Sequence, residues 1–298
     1  MLHTHHTAHQ HHHQNVSTKS VQYLVLSFII NMLLSIVEFI GGIISGSVSL
    51  VGDALHNTSD AFSILIAVIA FKIGNKKATS RYTYGFKRAE VIGSFVNLIL
   101  LFISGLYLLI EGIERIIFPR QIDGWLIIFI SILALLVDAI TAKISHHDAH
   151  SNTNMKMVFL HNLADAFSSL GVIISGIFVL LFKIYYIDGI IALMIAAYMI
   201  FQSVVSFKPI VNILMNAAPE DIDLSTIIAE IKKIKGVENV HHVHLWCINE
   251  HDVSLECHVK ANNMKLVEQI RALLHDKFSI KHCNIQMEEK NCCHDCDL

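Results

Sequence analysis

Two short segments of the chain each pair a histidine with an aspartate four residues later: His56-Asn57-Thr58-Ser59-Asp60 and His161-Asn162-Leu163-Ala164-Asp165. On a helix that spacing brings imidazole and carboxylate onto one face, a turn apart. Two such helices side by side offer two nitrogens and two carboxylate oxygens. The set suits a tetrahedral divalent cation, with zinc the first choice. The charges balance as well, because two carboxylates neutralise one divalent cation. That balance matters in a bilayer, where a lone aspartate near the centre costs about 2.5–3.5 kcal/mol on insertion scales. The competing reading is that each pair is only an intrahelical hydrogen bond between buried polar groups. Repetition in separate apolar stretches favours ligands, as do the small or hydroxylated residues that follow each pair (Ala61 and Ser63; Ala166, Ser168 and Ser169).

The elements that must position these residues are apolar and long. The 298 residues are 53% hydrophobic and only 16% charged, which is too apolar for an ordinary soluble domain. Six stretches approach or exceed the ~20 apolar residues that span a bilayer. They are expected at about Val21–Ile44, Val48–Ile73, Val91–Ile113, Ile122–Ile144, Met157–Phe182 and Ile184–Phe207. The expected fold is therefore a six-helix, all-α transmembrane domain over residues 21–208, followed by a cytosolic α+β domain over 209–290. In the first helix Asn31, Ser35 and Glu38 form a polar stripe that faces protein rather than lipid. Asp53 shares the His56 and Asp60 stripe, either as an entrance carboxylate or, the favoured role, as a partner for a neighbouring helix. Asp138 in the fourth helix either lines a pathway or pairs with a nearby serine or asparagine. Asp188, near the start of the sixth, is expected to be hydrated at the interface.

The segment with Lys72, Lys76, Lys77, Arg81, Lys87 and Arg88 is the densest basic stretch, so it is assigned to the cytoplasm by the positive-inside rule. An even number of spans then puts both termini on that side. The net charge of -3 and the lack of an aromatic-plus-basic stripe argue against a nucleic-acid partner. No signal-peptide pattern is visible. Residues 1–20 carry seven histidines, from His3 to His13, and read as a disordered, metal-collecting tail. Beyond Pro209 the pattern changes to helix, two strands, helix, strand, a ferredoxin-like outline, with Asp221 or Asp223 near the first helix's cap. His241, His258, His282 and Glu288 sit on its expected strands as candidates for a second metal site. Exposed polar residues on a solvated or dimer-facing sheet are the alternative. All six cysteines lie in this part, as reduced thiols or metal ligands rather than disulfides. Cys293 and Cys296 of the 291–298 tail make a CxxC beside His294, half of a zinc or copper(I) site.

Taken together, Glu38-Phe-Ile-Gly-Gly, Gly52 through Asp60, Tyr84-Gly85-Phe86-Lys87-Arg88-Ala89-Glu90, His161 through Asp165, and Val240 through Trp246 resemble the cation diffusion facilitator family in its zinc-exporting branch. The resemblance covers about Tyr23 to Glu288. It implies a homodimer with six transmembrane helices per protomer and a cytosolic domain that binds metal at the dimer interface. It further implies exchange of cytosolic zinc for protons, with cadmium or cobalt as further substrates, at His56, Asp60, His161 and Asp165. A histidine at the position of His56 is associated in that family with zinc selectivity, an aspartate with broader choice. On this reading zinc is substrate and cytosolic regulatory ligand, no organic cofactor is needed, and the chain is not an enzyme. The expected location is a bacterial plasma membrane, with an organelle as the alternative. A membrane metalloenzyme and a membrane-anchored metal sensor are the rival functions. Against the first, the sequence has no His-Glu-x-x-His and no obvious general base beside the quartet.

Overall fold

The computed structural model describes residues 18–149 and 153–288. The amino-terminal histidines and the Cys293/Cys296 tail lie outside the described residues. Six helices long and apolar enough to cross a membrane come first: α1 (Thr18–Ser45), α2 (Val48–Gly74), α3 (Ala89–Ile117), α4 (Gly124–Ala149), α5 (Thr153–Phe182) and α6 (Tyr186–Leu214). Their outer faces expose large apolar side chains such as Ile43, Ile110, Phe129, Leu181 and Phe201, as lipid-facing helices do. The polar stripe of α1 points inward, with Ser35 and Glu38 buried.

Packing is closest between α3 and α6, α4 and α5, and α1 and α2. At two crossings only glycine fits. A Cβ on Gly189 of α6 would stand 2.8 Å from the Gly112 carbonyl of α3, and one on Gly124 of α4 would stand 2.8 Å from the Gly176 carbonyl of α5. Small residues at such points let backbones approach and gain dispersion contacts, the main attraction between helices in lipid. α2 packs against α1, α3, α5 and α6 and so is the central helix.

The start of α2 is held by Asp188, and here the structure corrects the expectation of a hydrated carboxylate. Asp188 is wholly buried. Its oxygens accept from Ser47 Oγ (2.6 Å), Val48 N–H (2.7 Å), Ser49 N–H (3.3 Å) and Ser49 Oγ. The free N–H groups at a helix start supply donors and partial positive charge, so they replace water for this anion. A second difference lies at the other end of α6, which continues through Pro209 to Leu214, past the boundary expected at 208. Proline removes one backbone bond. Packing of Ile210, Ile213 and Leu214 against Val91, Phe95 and Leu98 of α3 holds the added turn.

The remaining chain forms α7 (Leu224–Lys232), β1 (Val237–Cys247), β2 (Val253–Ala261), α8 (Leu266–Phe278) and β3 (His282–Glu288). The sheet order is β1-β2-β3, the first pair antiparallel and the second parallel, with α8 as the crossover. This is the ferredoxin-like α+β outline with three strands. Ile227 and Ile231 of α7 and Ile270 and Leu274 of α8 close its core over Leu255, Cys257 and Val259 of β2. Asp223 is the cap of α7, accepting from Ser225 N–H at 3.0 Å. Burial pushes the Cys257 thiol up to about 12, so it is a packing residue. Lys87 Nζ meets Asp252 Oδ2 at 2.9 Å, and Arg88 donates to Asn216, so the small domain sits at the end of the bundle where α2 finishes and α3 begins.

Replacing Asp188 by alanine strips five buried donors, Ser175 Oγ among them, of their acceptor. The expected loss is about 2–4 kcal/mol, seen as a lower thermal midpoint in detergent; an unchanged midpoint would show that the cap contributes nothing.

Candidate metal centre

α2 and α5 run antiparallel, and both carry histidine four residues before aspartate. Reversed direction therefore sets each imidazole level with the other helix's carboxylate. His56 Nε2 stands 3.1 Å from Asp165 Oδ1 and 3.5 Å from Asp60 Oδ2. His161 Nε2 stands 3.4 Å from Asp60 Oδ2 and 3.6 Å from Asp165 Oδ2. Ligands at zinc–nitrogen and zinc–oxygen bond lengths lie about 3.3 Å apart when arranged tetrahedrally. The observed separations bracket that edge length; His56, Asp60 and Asp165 bring their ligand atoms within 4.8 Å of one another, and His161 borders that set through Asp60. His56 is 1% exposed, while the His161 side chain is 35% exposed. Asp60 and His161 lie nearer the small domain than His56 and Asp165, and they are the more exposed pair. The centre therefore opens on the small-domain side.

Neighbouring polar groups brace the two ligand helices. Asp53, one turn before His56, accepts from Ser168 Oγ (2.6 Å) and Ser169 Oγ (3.0 Å) of α5. It has the helix-pairing role. Asp138 of α4 lies 3.0 Å from Ser169 Oγ, so it pairs with a serine. Asn57, adjacent to His56, donates to Glu38 Oε2 of α1 at 2.9 Å. Tyr198 of α6 stacks edge-on against His56, ring centroids 5.5 Å apart. Sequence reasoning missed Tyr198, because a lone tyrosine in an apolar helix has no spacing signal.

The second candidate set is only partly assembled. Glu288 Oε2 lies 3.2 Å from His241 Nε2, and Glu288 Oε1 lies 2.9 Å from His258 Nδ1. These approaches are close but lack hydrogen-bond alignment. His282 does not join them, since parallel pairing sets it opposite Ser254 and sets Glu288 opposite Lys260, at the other end of β3. It packs instead towards Tyr84 of the α2–α3 loop. His242 borders the set of His241, His258 and Glu288 instead. Between His241↔His258 and His244↔Glu256, β1 has two residues against the single Cys257 of β2. In a regular strand adjacent side chains point to opposite faces; this bulge, with His242 at φ 47°, breaks the alternation. The His242 ring lies 4.6 Å from both His258 and His244.

Residues 24–215 match the cation efflux transmembrane domain, and residues 219–290 match the cation efflux protein cytoplasmic domain. The junction falls just beyond the end of α6. The chain is similar to a cadmium, cobalt and zinc/H(+)-K(+) antiporter of Bacillus velezensis, 32% identical over 94% of this chain and 91% of that protein. It is also similar to the zinc transporter ZitB of Escherichia coli K12, 30% identical over 96% and 94% of the two chains. A third relative is the metal cation efflux system protein CzcD of Cupriavidus metallidurans, 29% identical over 86% and 83%.

For the small-domain cluster, H258A and H242A are each expected to weaken zinc binding roughly tenfold or more, whereas H282A leaves it unchanged. Isothermal titration of the purified protein reads the difference, and equal losses in all three would show that the cluster has been wrongly drawn.

Proposed function

The chain belongs to the cation efflux, or cation diffusion facilitator, family, and from that premise we propose that it exports zinc across a membrane in exchange for protons. Export of divalent metal cations by a multi-pass membrane protein, rather than catalysis, is the family's business. The proposed transport site is His56, Asp60, His161 and Asp165. One observation carries it: two histidine–aspartate contacts within helices (3.5 and 3.6 Å) and two across them (3.1 and 3.4 Å) bring two imidazoles and two carboxylates of antiparallel helices together at separations close to those of a zinc tetrahedron.

The mechanism is alternating access. While the site is open towards the small domain, a cation displaces protons, because histidine coordinates only as the neutral base. When α2 and α5 move with their neighbours to open the other face, protons compete for the same lone pairs and the cation leaves. An imidazole titrates near neutrality and suits such competition. Affinity must be moderate, since a closed structural site would not release its ion. The exposure of Asp60 and His161 on the small-domain side supports the inward-open stage of this cycle.

The small-domain side is taken as the cytosol because the loop ending in Lys87 and Arg88 is basic and meets that domain. Both termini then lie in the cytosol, and the bacterial relatives favour a bacterial plasma membrane. The cytosolic domain is proposed to pair two protomers and to bind regulatory zinc at His241, His242, His258 and Glu288. No organic cofactor enters the mechanism. The sensor reading is disfavoured by the assembled intramembrane quartet, which a mere anchor would not need.

In everted vesicles, D60A and H56A should abolish proton-driven zinc uptake, and wild-type uptake by D60A would rule out the quartet. H56D should raise cadmium flux relative to zinc, as the family's broader choice with an aspartate at this position implies; side-by-side zinc and cadmium fluxes decide this.

A further inference from the structure

Two intramembrane carboxyl groups outside the quartet meet at one hydroxyl. Ser169 Oγ stands 3.0 Å from Asp53 Oδ2 and 3.0 Å from Asp138 Oδ2, while Ser168 Oγ bonds Asp53 Oδ1 at 2.6 Å. A serine hydroxyl has a single proton to donate and lone pairs with which to accept. An ionised carboxylate only accepts. Ser169 therefore makes two full hydrogen bonds only when one of the two carboxyl groups is protonated and donates to it. If both were ionised, one proton would be split between them and two like charges would face each other out of water. Asp53 is 1% and Asp138 6% exposed. The charged or titratable groups that act on the pair are Glu38 of α1, His56 of α2 and Asp165 of α5. Two of these three are acids, so a proton is the compensation at hand.

The pair is also placed to be used. Asp53 precedes His56 by three residues, and Ser168 and Ser169 follow Asp165 by three and four. α2 runs towards the small domain and α5 away from it, so both offsets move the pair in the same direction. It sits about 5 Å, one helical turn, from the quartet on the side facing away from the small domain.

We propose that Asp53, Ser169 and Asp138 form a relay that stores one exchangeable proton and delivers it to the cation site from the far face of the membrane. This rests on the zinc–proton exchange reading. In the hand-over, the O–H bond of the protonated carboxyl breaks as Ser169 Oγ takes that proton and gives its own to the other carboxylate. The carboxyl so loaded passes a proton to a quartet ligand, and water on the far side returns one to the relay. One proton enters for each that leaves.

The test uses the full-length protein in liposomes, with zinc flux followed at a series of imposed pH differences. D138N reproduces the donor of the protonated acid towards Ser169 but has no proton to exchange. Expected are a fall in proton-driven flux of roughly tenfold or more and a flattened pH dependence, with equilibrium zinc binding within about threefold of wild type. D138E should restore flux, and the infrared difference between wild type and D138N should contain the C=O band of one protonated carboxyl. Wild-type pH dependence in D138N, zinc binding lost in step with flux, or absence of that band overturns the relay alone. A wild-type protein that moves no zinc at any gradient overturns the exchange reading and the relay with it.

Discussion

Among the described residues Glu38, Asp53, Asp60, Asp138, Asp165 and Asp188 lie inside the helix bundle, and the structure depends on each being compensated without a lysine or arginine. An uncompensated charge there costs several kcal/mol, so every acid needs donors, protons or a cation. Asp188 uses the free N–H groups and serines at the start of α2. Glu38 uses Asn57, Asp53 and Asp138 use serines of α5, and Asp60 and Asp165 use the two histidines. These partnerships tie α2 to α1, α5 and α6. The same contacts that make the acids tolerable therefore set the ligand geometry.

The compensation differs in kind along α2. At its start the partners are fixed backbone donors, which hold their protons. Around the quartet the partners are imidazoles, groups whose protons are exchangeable near neutrality and whose neutral form is a metal ligand. A permanent anchor and an exchangeable site thus occupy one helix about two turns apart. Tight glycine crossings hold α3 close to α6 and α4 close to α5.

The small domain solves a related problem in water. A regular β1 would separate His241 from His242 by the sheet itself. One extra residue in β1 turns both rings towards His258, and the end of β3 brings Glu288 beneath them. The clustering of these histidines is a product of strand irregularity rather than of alternation.

The sequence by itself determined the six spans, the helix–strand order of the small domain and the two histidine–aspartate pairs that share helix faces. Each depends on short-range periodicity: long apolar runs, period-two alternation, and a four-residue spacing that any helix turns into one face. The partners of Asp188 and of Asp138, the role of Tyr198 and the exchange of His282 for His242 were decided only by tertiary structure. Asp188 lies 141 residues from Ser47 in the chain, and no local pattern encodes that meeting. His242 depends on a bulge, and a bulge shifts facing by one position without altering the residue types from which alternation is read. Local spacing says which side chains share a face; only the packed chain says what that face meets.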